Sequence, residues 1–295
     1  MRPPTETGPD ARVVLITGCS SGIGAATAKR LHAQGWSVYA TARRLDSIED
    51  LSAAGSRVLA LDVTDEASMQ GAVEQITREA GGVDVLINNA GYSQSGAVEQ
   101  VPMASVRRQF ETNVFGLLRL TQLVLPGMRT RRRGRIVNIG SMGGRFTMPG
   151  GGIYHATKYA VEALTDALRF EVAGFGIKVV LIQPGLIRTA FTDAASRSLA
   201  DVASDRGPYA HFTREVERIT TQSYLTGRLA RFAGTADEVA QVVEKALRSD
   251  APHARYRVTH SARLLMSLRA TLSDRLWDAF LAKTYPRPGM PTDHS

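Results

Sequence analysis

The stretch Val13-Val14-Leu15-Ile16-Thr17-Gly18-Cys19-Ser20-Ser21-Gly22-Ile23-Gly24 decides the fold. A short β-branched and apolar run, Arg12–Ile16, enters a glycine-rich turn, and from Ile23 apolar positions recur at helical spacing to Gln34, where Gly35 stops them. Strand, turn and helix follow one another within two dozen residues. Because the helix begins inside the turn, its first backbone N–H groups face whatever lies above it, which makes an anion site. Gly18 permits the tight turn, Gly22 allows close approach of backbone to a pyrophosphate, and Gly24 lets helix and strand pack closely. The spacing departs from G-x-G-x-x-G, and glycine turns also serve purely structural ends.

Working outward, the same alternation recurs. Ser37–Ala42, Val58–Leu61, Val83–Ile87, Arg135–Ile139 and Lys178–Ile182 read as strands, the last stopped by Pro184-Gly185. Glu66–Ala80, Val106–Met128 and Tyr154–Val172 read as helices. The strand runs are short and nearly continuously apolar, as strands covered on both faces must be. The expected fold is therefore α/β: one doubly wound Rossmann-type domain with a mainly parallel sheet and a helical C-terminal extension covering the substrate. Beyond Gly185 the spacing predicts helices over Thr192–Ala200 and Tyr209–Ser223. Thr235-Ala236-Asp237-Glu238 forms a capping box for a helix to about Arg248, and Ala254–His260 reads as a last strand. In domain terms, residues 1–10 read as a tail, 11–285 as a single Rossmann-type domain (191–235 the covering segment, 261–283 amphipathic helices) and 286–295 as a second tail.

The composition excludes several classes. At 295 residues, 43% hydrophobic and 22% charged, the chain can bury a sizeable core and is not disordered. Met1–Asp10 lacks the apolar run of a signal peptide, and no segment reaches the ~18 apolar residues of a membrane span, so a soluble cytoplasmic protein is expected. The single cysteine, Cys19, cannot form an internal disulfide or a cysteine-based metal cluster. No metal is expected. The net charge of +8 and the cluster Arg129, Arg131, Arg132, Arg133 and Arg135 raise nucleic acid as a partner. The cluster lies between a helix and a strand without interleaved aromatic residues, so it reads as a solvated loop and no nucleic-acid partner is expected.

The remaining motifs fall on matching elements. Thr17-Gly18-x-x-x-Gly22-x-Gly24 follows the first strand, Asp62 the third, and Asn88-Asn89-Ala90-Gly91 the fourth. Asn113 lies on the next helix, Ser141 after the fifth strand, and Tyr154-x-x-x-Lys158 on the helix after that. In this order over residues 12–190 the chain resembles the short-chain dehydrogenase/reductase superfamily, most like the branch with hydroxysteroid and retinol dehydrogenases. The resemblance implies an NAD(P)(H)-dependent oxidoreductase interconverting an alcohol and a ketone or aldehyde. It assigns Asn113, Ser141, Tyr154 and Lys158 to catalysis, with Asn113 supporting a water-linked proton relay and Lys158 also holding the nicotinamide ribose. The cofactor set is Gly18, Ser20, Ser21, Gly22, Ile23, Gly24, Arg43, Asp62, Val63, Asn89, Ala90, Gly91, Tyr154, Lys158, Pro184, Gly185, Ile187 and Thr189. Family habit further implies a homodimer or homotetramer, with the Val106–Met128 helix as an interface.

Elementary chemistry reaches the central roles independently. Tyr154 and Lys158 are i,i+4 neighbours, so an ammonium beside a partly desolvated phenol is expected to draw its pKa down from ~10 and let it exchange a proton. Ser141 can donate a hydrogen bond to a substrate oxygen that gains negative charge. His155 at i+1 points away and reads as a pocket-side or surface residue, not a base. Taken singly, a helical tyrosine is packing, its neighbouring lysine solvated and a serine after a strand a turn residue; their coincidence below a glycine turn favours catalysis. At the end of the second strand Ala42 stands where an NAD site would place an acid, and Arg43 and Arg44 follow. This favours NADP(H), with NAD(H) as the alternative.

The expected pocket positions Met142–Gly144, Met148–Gly151 and Gly185–Phe191 are small or apolar, suited to a lipophilic alcohol or carbonyl of steroid, retinoid or fatty type. Near the end Leu264, Leu268, Leu272, Leu276 and Phe280 recur every fourth residue, with Arg263, Arg269 and Arg275 between and a break at Ser273. Packing over the substrate entrance or a second subunit is favoured over contact with a membrane surface. Two other functions use the same fold: an NAD(P)-binding isomerase or lyase, and a non-catalytic dinucleotide sensor. The complete Asn113, Ser141, Tyr154 and Lys158 set argues against the sensor.

Overall fold

A computed structural model of the chain describes residues 12–189, 207–226 and 232–290. The expected helix Thr192–Ala200 lies outside them. Seven strands, β1 (Val13–Ile16), β2 (Ser37–Ala42), β3 (Arg57–Ala60), β4 (Val85–Asn88), β5 (Gly134–Ile139), β6 (Ile177–Gln183) and β7 (Arg255–Arg257), form one sheet in the order β3-β2-β1-β4-β5-β6-β7. Every neighbouring pair is parallel. The expected doubly wound α/β architecture is what is found.

Successive residues of β1 face opposite layers, as the period of two requires. Val14 and Ile16 join a core with Leu31 of helix α1 (Gly22–Ala33) and Val239 and Val243 of a C-terminal helix, while Val13 and Leu15 join Met69, Ile76, Leu120 and Val124 on the other face. The latter come from helices α3 (Glu66–Ala80) and α5 (Gly116–Thr130), separated in the chain from α1 by a short helix α2 (Glu49–Ala53). With both faces covered, nothing on the central strands needs to be polar. The order reverses at β1, between β2 and β4, so the turns after β1 and β4 open one crevice at their carboxyl ends.

The expected single helix Val106–Met128 is longer and interrupted. Helix α4 (Met103–Phe110) passes into a π-helical segment, Glu111–Phe115, before α5. Helix α6 (Gly152–Glu171) carries the tyrosine and lysine. Its inner face is pinned to the sheet by Glu162, which accepts hydrogen bonds from Gln183 at the end of β6 and from Arg255 of β7 at 3.0 Å. Helix α7 (Ala210–Thr221) begins one residue later than expected and ends in a π-helical turn, Gln222–Thr226. Helix α8 (Ala236–Arg248) has the full reciprocal capping box of Thr235 and Glu238. The last strand is shorter than Ala254–His260, because Thr259 caps helix α9 (His260–Thr271) through the N–H of Ala262.

The arginine cluster and the C-terminal leucine stripe have partners that the sequence does not show. Arg132 and Arg133 stand exposed in the turn as expected, but three of the five clustered arginines also reach backbone carbonyls. Arg131 donates to Val83 at 2.8 Å and Arg132 to Gly174 at 2.9 Å, and Arg135, 9% exposed, donates to Ala246 at 2.6 Å and Ser249 at 2.9 Å. Arg135 thus satisfies the orphan carbonyls at the C-terminus of α8, where a cation also suits the helix dipole. The C-terminal leucine stripe is split at Ser273, which caps helix α10 (Asp274–Ala282) and resets its phase. Leu268, Leu272 and Phe280 pack with Phe146, Leu265 and Trp277, but Leu264 and Leu276 remain exposed. Among the described residues no helix is long and apolar enough to cross a membrane.

Candidate active site

A single cleft of about 1340 Å³ runs over the carboxyl ends of the strands. It exceeds the ~300–1,000 Å³ typical of one small-molecule pocket, as room for a dinucleotide and a second molecule requires. Its first half is the glycine turn. Gly18 has φ +71°, a left-handed conformation, and a Cβ on Gly24 would fall 2.3 Å from the Gly18 carbonyl oxygen. Only glycine allows the start of α1 to come so close beneath the turn. The Asn89 amide donates to the carbonyls of Thr17 at 2.9 Å and Gly18 at 3.0 Å, which ties the β4 turn to the β1 turn. The first N–H groups of α1 have no intrahelical acceptor and stand at this rim.

Of the expected cofactor residues, Gly18, Ser20, Ser21, Gly22, Ile23, Arg43, Asp62, Val63, Asn89, Ala90, Gly91, Tyr154, Lys158, Pro184, Gly185, Ile187 and Thr189 line the cleft. Gly24 lies beneath the turn. Arg43 and Arg44, alike in sequence, separate here. Arg43 lines the cleft, whereas Arg44 pairs with the carboxylate of Asp46 and lies outside it. The Asp62 carboxylate accepts from the Thr64 N–H at 2.9 Å, fixing its orientation after β3.

Ser141, Tyr154 and Lys158 meet in the same cleft. Ser141 starts the short turn Met142–Gly144, its oxygen accepting from the Gly143 N–H at 3.0 Å, and it hydrogen-bonds to the Tyr154 hydroxyl. Burial pushes the Tyr154 phenol above the ordinary tyrosine range, the Ser141 bond draws it partly back, and nearby Tyr224 adds a small upward push. The expected lowering by Lys158 is not what is found. The Lys158 ammonium, 5.8 Å from the Tyr154 ring centroid, donates to the Ile139 carbonyl at 2.8 Å, and burial pushes its pKa down to about 8. Desolvation therefore sets the direction of the shift at both groups.

Asn113 is buried beside the β4 loop. Its amide accepts from the Tyr92 N–H at 3.1 Å and donates to the Tyr92 carbonyl at 2.9 Å and to Thr157 at 3.1 Å. With both amide hydrogens given, the side chain does not line the cleft; it clamps the β4 loop to α6. The π-helical segment that contains it sets the register for this clamp.

Several lining residues escaped the sequence reading. Tyr92, Ser93 and Gln94 follow the β4 motif. Val216, Thr220 and Tyr224 come from α7 and the turn after it, and Leu265 and Tyr285 from the C-terminal elements. Their periodicity marks them only as helix faces. Nothing local says which face meets the cleft. The small and apolar expectation held for Met142, Gly143, Met148 and Gly151, all of which line it.

A family model described as a short chain dehydrogenase matches residues 12–200. The chain belongs to the short-chain dehydrogenase family. It is 45% identical over 199 residues to a 3-ketodihydrosphingosine reductase of Bacteroides thetaiotaomicron, covering 68% of this chain and 72% of that protein. It is 36% identical to 17-beta-hydroxysteroid dehydrogenase type 1 of Homo sapiens, covering 89% of this chain and 81% of the other. The solved closed form of a serine dehydrogenase complexed with NADP+ superposes with a TM-score of 0.72 at 26% identity, over 84% of this chain and 94% of that one. As a short-chain dehydrogenase the chain is an oxidoreductase with an NAD(P)(H)-binding fold, acting on small alcohol or carbonyl substrates.

Proposed function

We propose that this chain is an NADP(H)-dependent oxidoreductase of the cytoplasm that interconverts a lipophilic alcohol with its ketone or aldehyde, Tyr154 being the group that exchanges the proton. The observation that carries this reading is that Ser141, Tyr154 and Lys158 line the same cleft as the glycine turn. The residues fit a dinucleotide: the turn is cut to backbone width at Gly24, a helix N-terminus opens onto it, and Arg43 offers a guanidinium to a 2′-phosphate. NADPH held there supplies the hydride.

In the reducing direction, Tyr154, kept protonated by its raised pKa, donates its proton to the substrate oxygen. Ser141 donates a hydrogen bond to the same oxygen as negative charge develops; its own acceptor capacity is partly filled by the Gly143 N–H, which orients the hydroxyl. Lys158 borders the cleft as a buried cation that favours the phenolate left after proton transfer and the hydroxyls of a bound ribose. In the oxidising direction the proton returns to Tyr154. The lipophilic substrate class is supported by Met142, Phe146, Met148, Val216 and Leu265 along the far wall, and by relatives named for sphingoid and steroid substrates.

The same reading makes the enzyme a homodimer or homotetramer, supported by Phe115 and Tyr159, half exposed on adjoining helices, and by Phe170, 88% exposed. A monomer by light scattering would refute that part. The experiment for the function itself is NADPH and NADH oxidation with a panel of lipophilic ketones and aldehydes, run on wild type and Tyr154→Phe. NADPH-selective turnover abolished in the variant supports the reading. Turnover retained by the variant, or tight NADPH binding without turnover on any carbonyl, overturns it.

A further inference from the structure

His155 follows Tyr154 on α6, yet it is neither a surface residue nor a base. It is 9% exposed, and both ring nitrogens are engaged: Nδ1 lies 2.8 Å from the Gly143 carbonyl and Nε2 accepts the Met148 N–H at 3.3 Å. One carbonyl and one N–H fix the tautomer, since Nδ1 must carry the hydrogen and Nε2 must not. Space is reserved for the ring. A Cβ on Gly143 would fall 2.5 Å from Nδ1, and one on Gly151 would fall 2.9 Å from the far side of the ring.

The two bonds reach two different segments. Gly143 belongs to the turn that starts at Ser141, and Met148 belongs to the wall of the cleft before α6. The ring itself meets the Tyr154 ring edge-on at 5.7 Å and the Phe146 ring at 6.5 Å. One side chain therefore sits among the hydrogen-bond donor, the proton donor and the substrate wall.

We propose that His155 is a positioning residue which, as the neutral Nδ1–H tautomer, holds the Ser141 turn and the Met148 wall in register with Tyr154, and which lets go of the wall when protonated. An imidazolium carries hydrogen on both nitrogens, so Nε2–H would face the Met148 N–H and two donors would oppose each other. Among the described residues around the ring nothing compensates. On α6 the neighbour is Tyr154, and Lys158 is turned to Ile139. From the turn come Ser141 and the Gly143 carbonyl, and from the wall Phe146, backed by Trp277 of α10, with Arg145 exposed. None is an anion. Burial likewise holds the imidazole pKa below its ordinary value.

The kinetic consequence rests on the oxidoreductase reading, whereas the tautomer does not, and the test uses both. His155→Phe keeps a ring and removes both bonds, and His155→Gln restores one N–H donor and one carbonyl acceptor without a titrating group. With the full chain and NADPH, His155→Phe is expected to lower kcat about 10- to 100-fold at unchanged KM for NADPH, the cost of a small misplacement at the reacting centre. His155→Gln is expected to recover most of that loss and to lack the wild-type fall in kcat/KM on the acid side. A kcat for His155→Phe within about threefold of wild type, or an unchanged acid limb in His155→Gln, overturns the proposal. Independently, 15N-histidine NMR of wild type, assigned by difference against His155→Gln, should show the Nδ1–H tautomer at neutral pH. An Nε2–H tautomer or an imidazolium overturns it even if no carbonyl substrate is turned over.

Discussion

The Lys158 ammonium is bonded at 2.8 Å to the Ile139 carbonyl at the end of β5, and both residues are buried. Its pKa of about 8 against an ordinary 10.5 is a statement about stability as well as chemistry. Between those two values the unfolded chain binds the proton that the folded chain has lost, so stability from this group rises as pH climbs through that window, and the full penalty is borne below it. Lys158→Met should therefore abolish turnover yet stabilise the fold at pH 7 by ~1–3 kcal/mol. Urea unfolding checks it: the gain should shrink as pH is raised from about 7 to about 10.

Arg43 lines the cleft while Arg44 is held by Asp46, so the two adjacent arginines should behave differently. Arg43→Ala is expected to weaken NADPH binding about 10- to 100-fold with little effect on NADH, the loss of a charge-assisted contact to phosphate. Arg44→Ala should change neither by more than about twofold, because an exposed ion pair contributes little. Fluorescence titration with both cofactors distinguishes the cases; equal loss in both variants would move the phosphate contact elsewhere.

Arg135 is the stability test. Removing its guanidinium leaves the buried carbonyls of Ala246 and Leu247 without that donor and takes a cation from the end of α8. Arg135→Met should cost ~2–4 kcal/mol, read as a lowered urea midpoint with unchanged slope. Activity per folded molecule should be retained, since the residue lies at the opposite end of β5 from Ser141.

Tyr224 and Tyr285 line the cleft together with Val216 and Leu265, and burial pushes each phenol to about 12. A desolvated hydroxyl favours a substrate that can bond to it. Tyr285→Phe is expected to raise KM about tenfold for a ketone bearing a second hydroxyl, while leaving its unadorned counterpart unchanged. Paired substrates in one steady-state assay check this; parallel changes in both would assign the tyrosine to packing.

Much of the site was written into local sequence because local geometry makes it. The turn Thr17–Gly24, the Tyr154–Lys158 spacing and the Thr235 capping box depend on neighbours in the chain, and each lies where its pattern implies. What failed depended on distant partners. Whether Arg135 is solvated is decided by the arrival of α8 more than a hundred residues later. The direction of the Tyr154 shift is decided by burial that spacing does not record. His155 shows the same limit: helical geometry turned it away from Tyr154 without revealing the two segments that would close around it.

The glycine turn gives the cleft a seat cut to backbone width at Gly24, and Met142, Phe146, Met148, Val216, Leu265 and Tyr285 give it a wall of bulky side chains. A wall made of side chains can be recut one residue at a time, whereas a seat made of backbone can be altered only by moving the chain. The molecule is thus divided into a fixed socket and an exchangeable jaw, and new substrates can be admitted by editing the jaw with the socket untouched.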